Sequence, residues 1–212
     1  ELVRSYFQSL YEREHVVEPQ VLLNFVERRV TDEMNEALKK PFSAEEVSDS
    51  LFQIGPLKAP GPDGLPARFY QRNWEVMRDE VVRGVLSFFE GGALPKGIND
   101  TVIELIPKGK DPQSLKDYCP ISLCNVIYKV ISKCLVNRLR PFLDGIISET
   151  QSAFIPGRMI TDNATIAFEC FHKIQHSRNK YDTYCAYKLD LAKAYDRVDW
   201  GFLKGVLLKM EF

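Results

Sequence analysis

The stretch Tyr184–Trp200 reads YCAYKLDLAKAYDRVDW, and it decides which fold the rest of the chain can have. The apolar and aromatic run Ala186–Leu189 is typical of a short buried strand, and the run stops at Asp190. A carboxylate at the end of a buried strand, just before a turn into a helix, lies where open α/β sheets usually bind ligands. A plain structural role fits this segment equally well, because an aspartate can also cap the turn.

A helix is predicted after this turn. Val198, Phe202 and Val206 recur at helical spacing, which places the start of the helix near Asp196–Asp199. The chain stops at Phe212 without a capping signal, and its first residues already follow a helical pattern. Both termini are therefore expected to be cut ends.

Length and composition describe an ordinary globular chain. Of the 212 residues, 45% are hydrophobic and 27% are charged, which is typical of soluble globular proteins. No apolar run is long enough to span a bilayer and the N-terminus has no signal-peptide pattern, so we expect an intracellular protein, nuclear or cytoplasmic, with no membrane partner. The five cysteines include no Cys-x-x-Cys pair, which favours reduced thiols.

The charge of the chain is unevenly distributed. A net charge of −1 does not indicate a polyanion-binding protein by composition. The segment from Thr101 to Arg140 nevertheless carries about +4. Its basic residues are Lys108, Lys110, Lys116, Lys129, Lys133, Arg138 and Arg140, and its acidic residues are Glu104, Asp111 and Asp117.

Most of the remaining sequence predicts helices separated by punctuated loops. Residues 1–40 read as helical, and Ser43 with Glu46 forms a capping-box pattern that opens a helix through about Gln53. The elements predicted after it are a stiff turn at Lys58–Gly64, a helix from near Arg68 to Glu90, a strand at Thr101–Ile106, a polar loop at Lys108–Pro120, a helix from Leu123, a loop at Ile146–Asn163, and a helix capped by Thr161 or Asp162.

Three cations share one face of the helix predicted from Leu123. Lys129, Lys133 and Arg140 lie on the same side, because steps of four and eleven residues return to that side. The face can be an ordinary solvated surface. Spacing alone favours that surface; the alternative is a cationic track for a nucleic-acid backbone, which binds by releasing counterions from phosphates.

Two histidines raise the question of a metal site. His172 and His176 stand four residues apart, a spacing at which two histidines can share a metal ion. They lie opposite the apolar stripe of their helix and have no acidic or cysteine partner near them on that face. The stripe consists of Ile166, Ala167, Cys170, Phe171 and Ile174. We therefore expect solvent-facing histidines.

Four sequence blocks in a fixed order carry a family resemblance. They are KAPGPDG at 58–64, IPK at 106–108 with YCPISLCN at 118–125, QSAFIPGR at 151–158, and KLD at 188–190 with KAYDRV at 193–198. From about Phe42 to Trp200 the chain resembles the reverse transcriptase domain of LINE-type (non-long-terminal-repeat) retroelements, in particular those of plants, and only its N-terminal part.

The resemblance implies an α/β (α+β) fold with a mostly helical fingers subdomain and the start of a palm sheet, in a truncated chain. Residues 1–40 would be a helical lead-in, 41–180 the fingers-like region and 181–212 the start of the palm. The implied activity is RNA-directed DNA synthesis by nucleotidyl transfer. Its partners would be an RNA template, a DNA primer and deoxynucleoside triphosphates, with two Mg²⁺ ions as cofactors, and the oligomeric state is left open.

The resemblance also implies roles for individual residues. Asp190 would be catalytic and would ligate the metal ions, helped by the main-chain carbonyl of Leu191. Tyr195 matches the position whose ring lies under the incoming sugar, although core packing is an alternative for it. Lys108 is a candidate contact to the triphosphate, and Arg158 lies in the block near the template. The basic loop and helix geometry add further candidate nucleic-acid contacts, namely Lys110, Lys129, Lys133 and Arg140.

Two departures from the family pattern lead us to expect an inactive chain. Cys119 stands where the family usually has an arginine, and a thiol supplies neither the charge nor the forked donors of a guanidinium. No Asp-Asp pair occurs in the sequence, although the other metal-binding carboxylates of the family come from such a block. One aspartate cannot hold two dications. The alternatives are a non-catalytic nucleic-acid-binding remnant and a non-functional pseudogene product.

Overall fold

The structure is a computed structural model, and it describes residues 2–12, 19–176, 184–191 and 194–212. As predicted, helices dominate the residues described. In chain order they are α1 (Leu2–Tyr11), α2 (Pro19–Leu23), α3 (Asp32–Lys39), α4 (Ala44–Phe52), α5 (Ala67–Arg72), α6 (Trp74–Phe89), α7 (Val126–Leu139), α8 (Leu143–Ile146), α9 (Ile160–His176) and α10 (Trp200–Lys209). The strands β1 (Thr101–Pro107) and β2 (Tyr118–Cys124) form an antiparallel pair. Short 3₁₀ turns lie at Leu115–Asp117, Arg140–Phe142 and Ala194–Arg197.

The chain divides into two compact units. One is Glu36–Leu139, and the other joins Glu1–Asn35 with Arg140–Phe212. In this division both ends of the chain belong to one unit, and the expected segments 1–40, 41–180 and 181–212 remain a prediction. Within that unit the N–H of Val30 donates a backbone hydrogen bond of 3.0 Å to the carbonyl of Met210. The expected boundary at 180–181 lies outside the described residues.

The unit Glu36–Leu139 has an apolar core between α4, α6 and α7. Val47 and Leu51 of α4, Val85 of α6 and Val130 of α7 are completely buried. Each such side chain contributes about 1.5–3 kcal/mol when it leaves water. The core therefore comes from apolar side chains that recur at helical spacing along these three helices.

The predicted capping box at the start of α4 is confirmed. The Ser43 hydroxyl accepts a hydrogen bond of 3.2 Å from the Glu46 backbone N–H, and the Glu46 carboxylate accepts one of 2.8 Å from the Ser43 N–H. Two backbone donors that the helix itself leaves without partners are satisfied in this way. The same arrangement points the Glu46 carboxylate out of the first turn, where Arg138 can reach it.

Arg138 is the centre of a polar cluster at the edge of this core. Its side chain is only 10% exposed, and it donates hydrogen bonds to both carboxylate oxygens of Glu46, at 2.7 and 2.8 Å. It also donates to the carbonyls of Leu38, Lys40 and Pro41. The guanidinium carbon lies 3.4 Å from the centre of the Phe42 ring, a cation–π contact. Arg138 belonged to the predicted basic region, but its donors are used inside the protein.

Three predicted elements in this unit need correction. The helix expected from Arg68 to Glu90 is two helices, because it breaks at Asn73, whose side-chain amide donates to the Phe69 carbonyl at 2.8 Å. The end of the expected loop Lys108–Pro120 belongs to β2, and α7 begins only at Val126. Proline cannot donate to a sheet ladder, but Pro120 is tolerated because β2 pairs with β1 alone.

The buried strand predicted at Ala186–Leu189 is wrong. Residues 184–191 form no regular secondary structure in this fold, and all of them are exposed. A strand needs a neighbouring strand for its N–H and C=O groups. In the described parts of the chain the only sheet is the pair of β1 and β2.

Helix α9 also differs from expectation. Because it begins at Ile160, Thr161 and Asp162 lie in its first turn and do not cap it. Most of its predicted apolar stripe faces solvent, including Ile166 and Phe171. His172 and His176 are exposed, as predicted, and their rings stack at 4.1 Å.

Helix α10 has defined ends on both sides. The Asp199 carboxylate accepts a hydrogen bond of 2.6 Å from the Phe202 N–H, which confirms the predicted start. At the other end the N–H of Glu211 donates to Leu208 and that of Phe212 donates to Leu207, the pattern of a Schellman motif. The expectation of an uncapped helix was therefore wrong. Glu211 adopts a φ of +69° for this motif, and its carboxylate lies 3.1 Å from Arg28.

Candidate functional site

Asp190 is open to solvent. It lies in the irregular stretch 184–191, where Leu189 and Leu191 are also exposed. An exposed carboxylate and the adjacent main-chain carbonyl of Leu191 are oxygen ligands of the kind that Mg²⁺ prefers. In the parts of the chain that the structure describes, no three His, Cys, Asp or Glu residues form a group that could hold a metal ion. These residues therefore fit a partial Mg²⁺ site and do not fit a complete site for two ions.

Tyr195 lies in the 3₁₀ turn Ala194–Arg197, shortly before α10. Its side chain is 78% exposed, so the alternative of plain core packing does not hold for this residue. Its ring meets the ring of Phe154 edge to face, with 6.1 Å between the ring centres. Lys193 of the same sequence block lies outside the described residues.

Phe154 is a residue that the sequence did not single out. It is 82% exposed, although its neighbours Ser152 and Ile155 are buried. Its φ is +65°, in the left-handed region that bulky residues rarely adopt. The signal that could have found it is a large aromatic residue inside a loop of small, polar and turn-forming residues.

Arg158 holds the loop that carries Phe154. Its side chain is 14% exposed and lies 2.7 Å from the Asp144 carboxylate. It also donates hydrogen bonds to the main-chain carbonyls of the same loop region, namely those of Asp144, Ile147, Ser148 and Gln151. The donors of this predicted template contact are thus directed into the protein.

In the unit Glu36–Leu139, Lys108 and Lys110 are exposed on the loop between β1 and β2. Asp117 orders this loop, because its carboxylate accepts hydrogen bonds from the backbone N–H groups of Ser114 at 2.8 Å and Gln113 at 3.0 Å. The backbone and side-chain hydrogen bonds from Ser114 lower the pKa of the Asp117 carboxyl, and the charge of Lys108 adds to this effect. Cys119, the departure from the family pattern, is exposed and pairs with Ile106 across the sheet.

The predicted cationic face of α7 is only partly available. The ammonium of Lys129 donates a hydrogen bond of 2.7 Å to the carbonyl of Ala59, so it anchors the turn Lys58–Gly64. Lys133 is half-buried. Arg140 is exposed but lies beyond the end of α7 at Leu139, which removes it from the helix face on which it was predicted.

Asn125, which the sequence did not indicate, fastens the same turn. The buried Asn125 side chain accepts a hydrogen bond from the Asp63 N–H at 3.2 Å and donates one to the Gly97 carbonyl at 2.9 Å. Gly61 packs directly against the backbone of Asn125, where a Cβ would collide with its nitrogen. The turn Lys58–Gly64 and the start of α7 are therefore one connected piece of structure.

Comparison with known proteins gives three findings. Residues 106–212 match the family model described as reverse transcriptase (RNA-dependent DNA polymerase). The chain is 32% identical over 183 residues to the "Transposon TX1 uncharacterized 149 kDa protein" of Xenopus laevis, covering 86% of this chain and 14% of that protein. It is 26% identical over 177 residues to the "Retrovirus-related Pol polyprotein from type-2 retrotransposable element R2DM" of Drosophila melanogaster, covering 82% of this chain and 16% of that protein.

The chain thus spans only a small part of the length of either relative. Among the residues that the structure describes, no helix combines the length and the apolar character that crossing a membrane requires.

Proposed function

Because the chain belongs to the reverse transcriptase (RNA-dependent DNA polymerase) family, we propose that it binds the template, primer and nucleotide of a LINE-type retroelement polymerase and contributes Asp190 to the metal site. The named relatives are transposon proteins, which supports the retroelement origin. The similarity to plant elements remains a prediction. The activity and the partners of the complete polymerase are likewise part of this proposal.

The observation that carries the proposal is the exposure of Asp190 and Tyr195. Both lie inside the matched stretch 106–212, and both are directed to solvent instead of the core. Asp190 with the Leu191 carbonyl would provide oxygen ligands for Mg²⁺, and Tyr195 would lie under the sugar of the incoming nucleotide. Lys108, exposed at the start of the loop between the strands, would contact the triphosphate.

We propose that the isolated chain does not incorporate nucleotides. A single carboxylate and a carbonyl offer too few ligands for two Mg²⁺ ions. Cys119 adds to this, because an exposed thiol does not replace the charge and forked donors of an arginine at the nucleotide phosphates.

Two measurements test these statements. The first is binding of Mn²⁺, a paramagnetic substitute for Mg²⁺, to the wild type, to Asp190→Asn and to the control Asp196→Asn. We expect weak binding that Asp190→Asn removes and Asp196→Asn retains; equal binding by all three would contradict the role of Asp190. The second is primer extension on a poly-rA template with Mg²⁺, for which we expect no product. Incorporation that Asp190→Ala abolishes would show that the isolated chain is active.

A second candidate function is non-catalytic binding of nucleic acid. It is favoured by Lys108, Lys110 and Lys116, which are all exposed on one ordered loop. Arg138 and Lys129 contribute less to phosphate binding than the charge of the region suggests, because both side chains donate hydrogen bonds to the protein itself. About three phosphate contacts correspond to a slope of about −2 when log affinity for a single strand is plotted against log salt.

The test of this candidate is a salt titration of RNA binding. We compare the wild type with the double variant Lys108→Gln/Lys110→Gln, and with the charge-matched control Lys39→Gln/Lys40→Gln. The first variant should flatten the slope and the control should not. Affinity that does not depend on salt would remove this candidate, and a cooperative melt with specific binding would count against a non-functional product.

A further inference from the structure

We propose that Phe154 and Tyr195 form an aromatic platform on which an unpaired base of single-stranded nucleic acid stacks. The inference rests on the proposed function, since it requires that the chain contacts nucleic acid. It assigns a ligand contact to Phe154. It also gives Tyr195 a contact with a base, in addition to the proposed contact with the sugar of the incoming nucleotide.

The backbone at Phe154 is the first observation behind this assignment. A phenylalanine with a φ of +65° is strained, because its Cβ crowds the following carbonyl. Strained residues of this kind persist only where the surrounding structure holds them, and they cluster at ligand-binding sites. The conformation turns the ring outward between two buried neighbours, Ser152 and Ile155.

The surroundings of Phe154 explain how the strain is maintained. Asn163 of α9 donates a hydrogen bond of 2.9 Å to the hydroxyl of the buried Ser152. On the other side of Phe154, Arg158 donates to the carbonyl of Gln151 at 2.8 Å and to the carboxylate of Asp144 at 2.7 Å. Both ends of the loop are thus anchored, and the ring is presented from a fixed position. A platform held in place before binding loses little entropy when the ligand arrives.

The two rings have free faces suited to a base. They meet edge to face at 6.1 Å with an interplanar angle of 86°, so each ring supports the other without covering its faces. Their exposed fractions, 82% and 78%, leave those faces open. Every nucleobase has a flat π-face, and stacking on an aromatic ring tolerates any sequence. A net charge of −1 limits the electrostatic attraction to phosphates, so stacking would carry a larger share of the affinity.

The experiment measures binding of a labelled 12-nucleotide oligo-rU and of an abasic strand with the same length and charge, by fluorescence anisotropy. The proteins are the wild type, Phe154→Leu, Tyr195→Leu and Phe168→Leu. Leucine keeps the apolar bulk and removes the π-face. Phe168 is the matched control, an exposed phenylalanine on α9. Circular dichroism melts establish that each variant is folded.

We expect the wild type to prefer the base-containing strand and Phe154→Leu to lose about 5- to 150-fold in affinity for it, with little change for the abasic strand. Tyr195→Leu should lose affinity in the same way, and Phe168→Leu should behave like the wild type. Equal binding of oligo-rU by the wild type and Phe154→Leu would overturn the inference. The inference would also be overturned if Phe154→Leu altered only the self-association of the chain and left its binding of oligo-rU unchanged.

Failure of the inference and failure of the proposed function give different results. If the wild type binds both strands equally and in a salt-dependent way, the nucleic-acid contact stands and the stacking platform is wrong. If neither strand binds at any salt concentration, both are wrong.

Discussion

Arg138 and Glu46 form a two-point ion pair, in which one guanidinium nitrogen lies 2.7 Å from one carboxylate oxygen and 2.8 Å from the other. The pair joins the end of α7 to the first turn of α4, two elements that are 92 positions apart in the sequence. Because the same guanidinium also donates to the carbonyls of Leu38 and Pro41, its removal leaves several acceptors without partners.

The first prediction concerns the stability that this arginine provides. Arg138→Met keeps the length of the side chain and removes its donors. We expect it to lower the free energy of unfolding by about 2–4 kcal/mol, a loss between those usual for breaking exposed ion pairs and buried ion pairs. Urea denaturation measures the difference. Arg140→Met, at an exposed position two residues later, should change stability by no more than about 0.5 kcal/mol. Equal losses in the two variants would contradict the role of Arg138.

The second prediction concerns pH. Partial burial of the Glu46 carboxyl acts to raise its pKa. The hydrogen bonds from Arg138 and Ser43, together with the charge of Arg138, outweigh this effect and lower the pKa. A folded-state pKa below the unfolded-state value of about 4.3 means that the ionised carboxylate stabilises the fold above that pH. This contribution is lost as the pH falls through the lowered pKa.

The stability difference between the wild type and Glu46→Gln should therefore be full at pH 7 and shrink below about pH 4.3. Urea denaturation at a series of pH values measures it. Glu45→Gln is the control, because Glu45 is exposed in the same turn, and its difference should be small throughout. A Glu46→Gln difference that grew on acidification would refute this assignment.

The third prediction tests the close packing of the turn Lys58–Gly64 on α7. A Cβ at Gly61 would meet the backbone of Asn125, which cannot move aside as a flexible side chain could. We expect Gly61→Ala to cost about 1–3 kcal/mol or more in the free energy of unfolding. Gly64→Ala is the comparison: Gly64 has a φ of +71° but open space around it, so its cost is limited to backbone strain of about 1 kcal/mol. Chemical denaturation of both should rank Gly61→Ala as the less stable.

The fourth prediction concerns the strain at Phe154. Phe154→Gly and Phe154→Ala both remove the ring, but only glycine adopts a φ of +65° without strain. We expect the glycine variant to be the more stable of the two by about 0.5–1 kcal/mol, as measured by thermal or urea denaturation. If the alanine variant were as stable, the backbone at this position would not be strained. Both variants should bind oligo-rU weakly, because both lack the aromatic face.

The fifth prediction separates two roles for Arg158. If its donors hold the loop together, Arg158→Met should lower the free energy of unfolding by about 1.5–3 kcal/mol. Most of this loss comes from the hydrogen bonds to carbonyls, because Asp144 is largely exposed and its ion pair with Arg158 adds little. If it contacts a phosphate instead, the salt slope for single-strand binding should fall by about 0.7 with stability unchanged. We expect the first result, from urea denaturation and salt titration of one protein sample.

The sequence predicted the local elements well and the long-range ones poorly. The capping box at Ser43 was predicted because it joins residues three positions apart. The start of α10 near Asp199 was predicted from the helical spacing of Val198, Phe202 and Val206. The break at Asn73 was missed, since helical spacing continues across it. Strand β2 was missed because it is defined by its pairing with β1, and its first residues, Tyr118–Pro120, were assigned to the polar loop.

The candidate site shows the same limit. Family resemblance selected Asp190, Tyr195 and Lys108, and the structure finds all three exposed, although their proposed roles remain to be tested. Resemblance and helix geometry also selected Arg158 and Lys129, and here the structure finds donors directed to carbonyls of the protein. Spacing along one helix cannot reveal a carbonyl that arrives from a distant turn.

By itself, then, the sequence determined the family of this chain, its mostly helical character and the capping box that opens α4, because order along the chain and contacts within one turn carry that information. Only the tertiary structure decided that Arg138 closes a core, that Arg158 anchors a loop and that Phe154 faces solvent beside Tyr195. These facts depend on where chain segments far apart in sequence come to lie, and a side chain's hydrogen-bond partners are set by that arrangement.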